Sequence, residues 1–287
     1  MIMKRRTFIF GMGTLLGCFP LSAAEKPVPL VVAVMDPLAL DLACFCIKGF
    51  AQRQYRVLAE HLQSELERPV ACVFSESLKS TFLKSPTGKI DLLLGKEDAV
   101  LFDAENFKME IEPLAKLTDA EGKTTHHGVL VVEKNDPAQT LGDLQTHQII
   151  FGPEYSRERH IEPVRMLRQS GVAIPQKPYC LTSDKDAALK ILDHSDGDVS
   201  VRMSAAMAAY SLKLMEGCQT VEKGTLRILA RTSEVPFITA FAAKSLGREL
   251  VPKIRDAFLS FGKNEKNLVA LESKSGFISG FDEKQPG

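Results

Sequence analysis

The chain contains no tryptophan, and aromatic residues make up only 7% of its 287 positions. The stacking platforms that single-stranded nucleic acid needs are therefore scarce. Neither sign of charge is in excess, with 36 Lys+Arg against 36 Asp+Glu. No basic field gathers nucleic acid or an anionic membrane, and a nucleic-acid function is excluded on that ground. Beyond residue 24 no apolar run reaches the roughly 18 residues that a membrane helix requires, so the mature chain is expected to cross no membrane. Low-complexity segments and short-period repeats are missing too. So are a Ser-His-Asp arrangement, paired catalytic carboxylates and a Gly-rich phosphate loop. The reading is non-enzymatic and calls for no cofactor and no metal. What remains is an ordinary globular composition, 45% hydrophobic and 25% charged, with enough chain for one large domain or two.

Residues 1–24 read as a signal peptide. Lys4, Arg5 and Arg6 form a positive start, Thr7 to Phe19 is apolar but too short to span a bilayer, and Ser22-Ala23-Ala24 supplies small residues for cleavage. The expected location is periplasmic or otherwise exported. Arg5-Arg6-Thr7-Phe8-Ile9 resembles a twin-arginine signal, with the general secretory route as the alternative. Leu15-Leu16-Gly17-Cys18 resembles a lipid-attachment motif, which would anchor the protein at Cys18. Loss of Cys18 leaves Cys44, Cys46, Cys72, Cys180 and Cys218, an odd number that keeps at least one thiol unpaired. Cys44-Phe45-Cys46 is too close for a relaxed bridge to itself.

Leu30–Val34 is apolar throughout and ends in Met35-Asp36-Pro37, the pattern of a buried parallel strand and its loop. Tyr55, Leu58, Ala59, Leu62 and Leu66 keep helical spacing until Pro69 bars continuation. Val70–Phe74 and Ile90–Leu94 are strands flanking a short amphipathic helix within 75–84. Gly128–Val132 is another strand. The pattern then restarts with a short helix at Leu141–Leu144, the strand Gln148–Phe151 and a helix from Arg157 to Gln169, with Gly171 just past its end. Asp184–Leu192 reads as helix, Val199–Val201 as strand, and Ser204–Glu216 as helix. Leu226–Leu229 and Phe237–Ala242 are strands, and a last helix carries Leu250, Ile254, Ala257 and Phe258 on one face. The predicted fold class is α/β, two doubly wound units in series.

The order of Leu30–Val34, Arg68-Pro69-Val70, Ile90-Asp91-Leu92-Leu93-Leu94-Gly95, Gly128–Val132, Thr140-Leu141-Gly142-Asp143-Leu144 and Ile149-Ile150-Phe151-Gly152 resembles the phosphate/phosphite/phosphonate-type solute-binding proteins of ABC transporters. The resemblance spans roughly residues 28–275. It implies the type II periplasmic binding fold, with two α/β lobes closing on a ligand about a two-stranded hinge. It places residues 28–133 and 233–287 in lobe one and 134–232 in lobe two, with crossings near Glu133 and Thr232. It also implies a small anionic ligand of phosphate or phosphonate type and a membrane permease as partner. A monomer is expected. Cys180 and Cys218 would share lobe two and are the preferred disulfide pair. The turn after Phe151-Gly152 departs from the family's Ser/Thr-rich pattern, and Lys96-Glu97-Asp98 stands where the family has a Pro-aromatic-Ser turn.

In open α/β sheets ligands bind beyond the carboxyl ends of strands, where helix N-termini favour an anion. The candidate ligand residues on that rule are Asp36, Lys96, Glu97, Ser156, Arg157, Arg202 and Ser204, and the resemblance adds Thr125 and His127, which precede the strand Gly128–Val132. Ser156 suits a helix cap, Arg157 and Arg202 a bidentate grip, and Lys96 a point charge from the other lobe. Of His126 and His127, neighbours on a strand, at most one faces the cleft. On a regular helix Ser156, Glu158 and His160 do not converge. Two other readings remain. Cys44 and Cys46 with a histidine would suit copper or zinc in a metal- or redox-handling protein, and the departures at the anion turns would suit a sensory or scaffold module.

Overall fold

A computed structural model describes residues 27–43, 52–195 and 201–280. The expected N-terminal signal and its anchor at Cys18, Cys44 and Cys46, and the expected strand Val199–Val201 up to residue 200 lie outside the described residues.

Strand β1 (Leu30–Met35) is buried on both faces, as the interior of a parallel sheet demands. Helix α1 (Tyr55–Leu66) buries Tyr55, Leu58 and Leu62 and ends where Glu67 turns left-handed, ahead of Pro69. Next come β2 (Val70–Phe74), α2 (Leu78–Lys84), β3 (Leu92–Lys96), α3 (Glu97–Asn106) and β4 (Ile111–Leu117). The chain continues through β5 (Thr125–His126), β6 (Gly128–Glu133), β7 (His147–Phe151), α4 (Glu162–Gln169) and β8 (Tyr179–Cys180). Then follow α5 (Asp184–Ser195), β9 (Arg202–Ala208), α6 (Ala209–Gly217) and β10 (Leu226–Arg231). It closes with β11 (Val235–Pro236), β12 (Ile238–Ala243), α7 (Leu250–Ser260), α8 (Glu265–Ala270) and β13 (Phe277–Ile278).

These strands form two sheets and a ribbon. The first sheet has the order β13-β4-β12-β3-β1-β2, the second β10-β6-β9-β7-β8, and β11 pairs β5 between them. Side chains alternate across each sheet. Leu30, Val32 and Val34 meet Leu58, Leu62 and Phe258 on one face, whereas Ala33 and Met35 meet Leu78 and Val100 on the other. In the second sheet Val129 and Val131 pack with Ile191 and Met215, while Leu130 and Val132 pack with Leu144 and Leu167. Each sheet is thus covered by helices on both sides, the doubly wound arrangement of an α/β lobe.

Three sequence expectations are corrected. β6, expected in lobe one, pairs with β9 and β10 in the second sheet, so the first crossing falls at Thr125–His126 and not near Glu133. Its unbroken apolar run says that both faces are covered and nothing about which sheet covers them. The expected helix Ser204–Glu216 is strand until Ala208 and helix only from Ala209. Its alanines favour helix, yet central pairing between β6 and β7 overrides that preference. Cys180 and Cys218 are free thiols. Cys180 packs on the Phe151 face of the second sheet, while Cys218 ends α6, which covers the opposite face. A disulfide needs Cα atoms within about 7 Å, and a sheet stands between these two.

Candidate functional site

The carboxyl ends of the parallel strands in both lobes, together with the ribbon between them, bring one set of side chains together. Lys96 ends β3, and Asp98 lies in the first turn of α3. From the second lobe, the turn after β7 supplies Ser156, Glu158 and Arg159, and the residue pair following β9 supplies Tyr210. His126 comes from the ribbon strand β5, and Phe237 follows β11.

At the centre lies Glu158, fully buried. Lys96 Nζ donates to its Oε1 across the lobes. Ser156 Oγ donates to its Oε2 at 3.0 Å, and Arg159 Nε stands 3.6 Å from Oε1. Arg159 is tied in turn to Asp184 Oδ1 at 3.0 Å and to the Thr182 carbonyl at 3.0 Å. Asp98 adds a second carboxylate: its Oδ2 accepts the Arg157 backbone N–H at 2.9 Å, and its Oδ1 lies 3.9 Å from Lys96 Nζ. Two cations, Lys96 and Arg159, therefore face three carboxylates, Asp98, Glu158 and Asp184.

Burial penalises every charge in this cluster, and the ion pairs decide the outcome. For Glu158, burial is outweighed by Lys96, His126 and Arg159, which hold its carboxyl well below the usual range. Burial likewise opposes the Lys96 charge, but Tyr210, Glu158 and Asp98 raise its pKa above the ordinary lysine value. Asp98 goes the other way, raised chiefly by burial. His126 is pushed down to about 3 by burial, with Lys96, His127 and Arg159 adding to the effect against Glu158. It is therefore neutral at pH 7, and its 3.9 Å approach to Glu158 Oε2 is not an ion pair there. Neither of its ring nitrogens has a hydrogen-bond partner among the described residues. The ring stacks on Phe237 at 4.3 Å and lies 5.9 Å from Tyr210.

Local backbone explains why these groups meet. Arg157–Ile161 is a π-helical turn, in which the Ile161 N–H reaches the Ser156 carbonyl at 3.1 Å. In this widened turn Glu158 folds back on Ser156, contrary to the expectation for a regular helix. Two glycines make room. A Cβ on Gly128 would lie 1.9 Å from the Glu158 carbonyl oxygen, and one on Gly152 would lie 2.5 Å from Arg159 Cβ. His160 Nδ1 meets the Gly152 carbonyl at 3.0 Å, away from the carboxylates.

The other candidates from the sequence are distributed around this centre. Asp36 is buried within lobe one, accepting from Arg53 NH1 at 2.8 Å, Leu38 N–H at 2.8 Å and the Tyr55 hydroxyl. Glu97 lies at the rim, accepting from Thr239 Oγ1 at 3.0 Å, with the half-exposed Arg157 3.8 Å away. Thr125 donates to Glu234, and His127 accepts from Arg231 at 2.9 Å, so His126 is the member of the pair that faces Glu158. Arg202 and Ser204 do not join them. Arg202 is exposed at the opening end of β9, opposite His147, and Ser204 is buried in the sheet between Val132 and Ile149. Sequence reasoning passed over Arg159, Asp98, Tyr210 and Phe237. Tyr210 was hidden by the misread start of α6, while a basic residue inside a turn, such as Arg159, carries no pattern that marks it as buried.

A cavity of about 690 Å³ opens beside His126, Tyr210 and Phe237, with Arg53, His127 and Arg231 also on its wall. Arg53 lies 5.5 Å from the Phe237 ring centre. Lys96, Ser156 and Glu158 do not line it. Among the described residues, no group of three or more His, Cys, Asp or Glu side chains is placed to hold a metal ion. No helix there is long and apolar enough to cross a membrane.

Residues 50–285 match a sequence family described as the periplasmic phosphonate substrate-binding protein of ABC transporters. No curated protein matches the sequence. Among solved structures, XAC2383 from Xanthomonas citri bound to ATP superposes with a TM-score of 0.64 at 15% identity, covering 88% of this chain and 91% of that one. A binding protein component of an ABC phosphonate transporter from Pseudomonas aeruginosa gives 0.62 at 15% identity, with 88% and 81% covered. PhnD1 from Prochlorococcus marinus in complex with methylphosphonate gives 0.61 at 16% identity, with 87% and 91% covered. At these identities the likeness is one of fold.

Proposed function

Because the chain belongs to the periplasmic phosphonate substrate-binding family of ABC transporters, we propose that it is exported, captures a small oxyanionic solute between its lobes and presents that solute to a membrane permease. The family role is binding for transport, not catalysis. The observation that carries the oxyanion reading is the meeting of Lys96 from lobe one with Ser156 and the Arg157 N–H from lobe two at a helix start. A lysine, a hydroxyl and a backbone N–H, each already donating to a carboxylate of this chain, are donors of the kind that an oxyanion requires, and the helix dipole there favours negative charge. Drawing the donors from both lobes makes affinity depend on how the lobes are disposed, which is how capture couples to a partner that reads lobe position.

A thermal-shift panel of phosphate, phosphite, methylphosphonate, sulfate and simple carboxylates tests this. A ligand at 100 times its Kd adds about 2.7 kcal/mol of stability. The expected result is a rise with one oxyanion that Lys96→Ala removes. No rise with any panel member at millimolar concentration would count against capture and favour the sensory or scaffold reading, and a rise with copper or zinc alone would favour metal handling.

A further inference from the structure

The donors that make the seat are already spoken for. Glu158 takes Lys96 Nζ and Ser156 Oγ, and Asp98 takes the Arg157 N–H. Both acceptors are carboxylates of this chain, buried where they bind, and one comes from each lobe. A cavity opens beside the cluster, beyond the His126 ring, and none of these donors lines it. His126, with a side chain only 10% exposed, has no hydrogen-bond partner for either nitrogen among the described residues and lies at the edge of Glu158. A further oxyanion placed among these groups would meet two carboxylates at close range, and like charges at that distance repel strongly in a buried setting.

We propose that Glu158 is a built-in competitor for the oxyanion seat, its carboxylate standing where a solute oxyanion binds, so that a solute enters only by displacing it. This rests on the oxyanion-capture reading and sets its selectivity. The seat is closed to weakly held anions because each must exchange for a carboxylate that is covalently tethered and hence always present at high local concentration. Displacement is feasible because Glu158 is carried by a turn and not by a paired strand. Asp98 is the lesser competitor, since it occupies one backbone donor and leaves Lys96 Nζ at 3.9 Å.

The test is isothermal titration of inorganic phosphate and of methylphosphonate into the purified wild type, Glu158→Gln, Glu158→Ala and Lys96→Ala/Glu158→Ala, each checked for folding by circular dichroism. Glu158→Gln keeps the volume and the acceptor oxygen, so it guards against loss of fold in the alanine variant. The expected result is that Glu158→Gln and Glu158→Ala bind at least one of the two anions about tenfold or more tighter than the wild type. The gain should vanish in the double variant. Wild-type binding that is equal to or tighter than that of the folded variants would overturn the competitor and leave oxyanion capture standing, with Glu158 as an ordinary part of the site. Failure of every form to bind either anion would overturn both.

Discussion

Lys96 and Glu158, 62 positions apart in sequence and on different lobes, form an ion pair whose side chains are 9% and 0% exposed. Removing one member of such a pair leaves the other charged and buried, which costs far more than the intact pair contributes. Lys96→Met is expected to lower stability by about 3–5 kcal/mol. Lys96→Met/Glu158→Leu should recover most of that loss, because no uncompensated charge remains. Urea denaturation of the two single variants and the double variant measures the coupling. Additive losses would show that the two residues do not interact.

Acid is expected to weaken the fold in a defined window. His126 titrates near 6.5 when unfolded and at about 3 when folded, so the unfolded chain holds the extra proton between those values. Stability from this group is therefore complete above pH 6.5 and declines as pH falls, by roughly 1.4 kcal/mol per unit within the window. Glu158, depressed on folding, acts in the same direction at lower pH, below its unfolded value of 4.5. Urea midpoints at pH 7.5, 6.5, 5.5 and 4.5 should fall progressively below pH 6.5. His126→Gln should flatten the upper part of that decline, and a midpoint that holds steady from pH 6.5 to 4.5 would contradict the assignment.

Gly128 is expected to tolerate no side chain. Its added Cβ would collide with the Glu158 carbonyl, which belongs to a backbone and has little room to yield. Gly128→Ala should cost about 1–3 kcal/mol, the range for overpacking a close contact. Gly142→Ala serves as the comparison, since a Cβ there meets only Thr140 Oγ1 at 3.7 Å and should shift stability by no more than about 0.5 kcal/mol. Thermal midpoints of the two variants distinguish a steric requirement from a general dislike of alanine.

Cys180 and Cys218 are expected to alkylate fully in denaturant without prior reduction, because a sheet keeps them apart. Peptide mass mapping reads this directly. A Cys180–Cys218 bridged peptide would show that the second lobe folds differently.

Strands β1, β2 and β3 and helices α1 and α2 were legible because their patterns are local, whereas α3 and β4 were not read. Leu30–Met35 is apolar without a break, and the spacing of Tyr55, Leu58 and Leu62 is helical up to a proline. The lysine at the end of β3 and the serine before the second-lobe turn follow from the rule that ligands gather at strand ends. The rest depended on pairing between distant segments. Gly128–Glu133 reads alike in either sheet, and Ser204–Ala208 reads as helix until β6 and β7 flank it. Arg202 fell at the wrong end of its strand for that reason. Glu158 was set aside because a regular helix separates it from Ser156, and nothing in Arg157-Glu158-Arg159-His160 announces a π-helical turn. The histidine facing the carboxylate was equally unreadable, since strand alternation gives opposite faces to His126 and His127 without saying which is which.

Points near the axis of a rotation travel least. Gly128 stands two residues beyond His126 in the ribbon that joins the lobes, and the backbone of Glu158 rests against it. Lys96 lies opposite Ile238, where the returning strand leaves that ribbon, so both partners stand next to the connections between the lobes. Were one lobe to turn on the other about those connections, this pair would move least, and only a wide opening would part it.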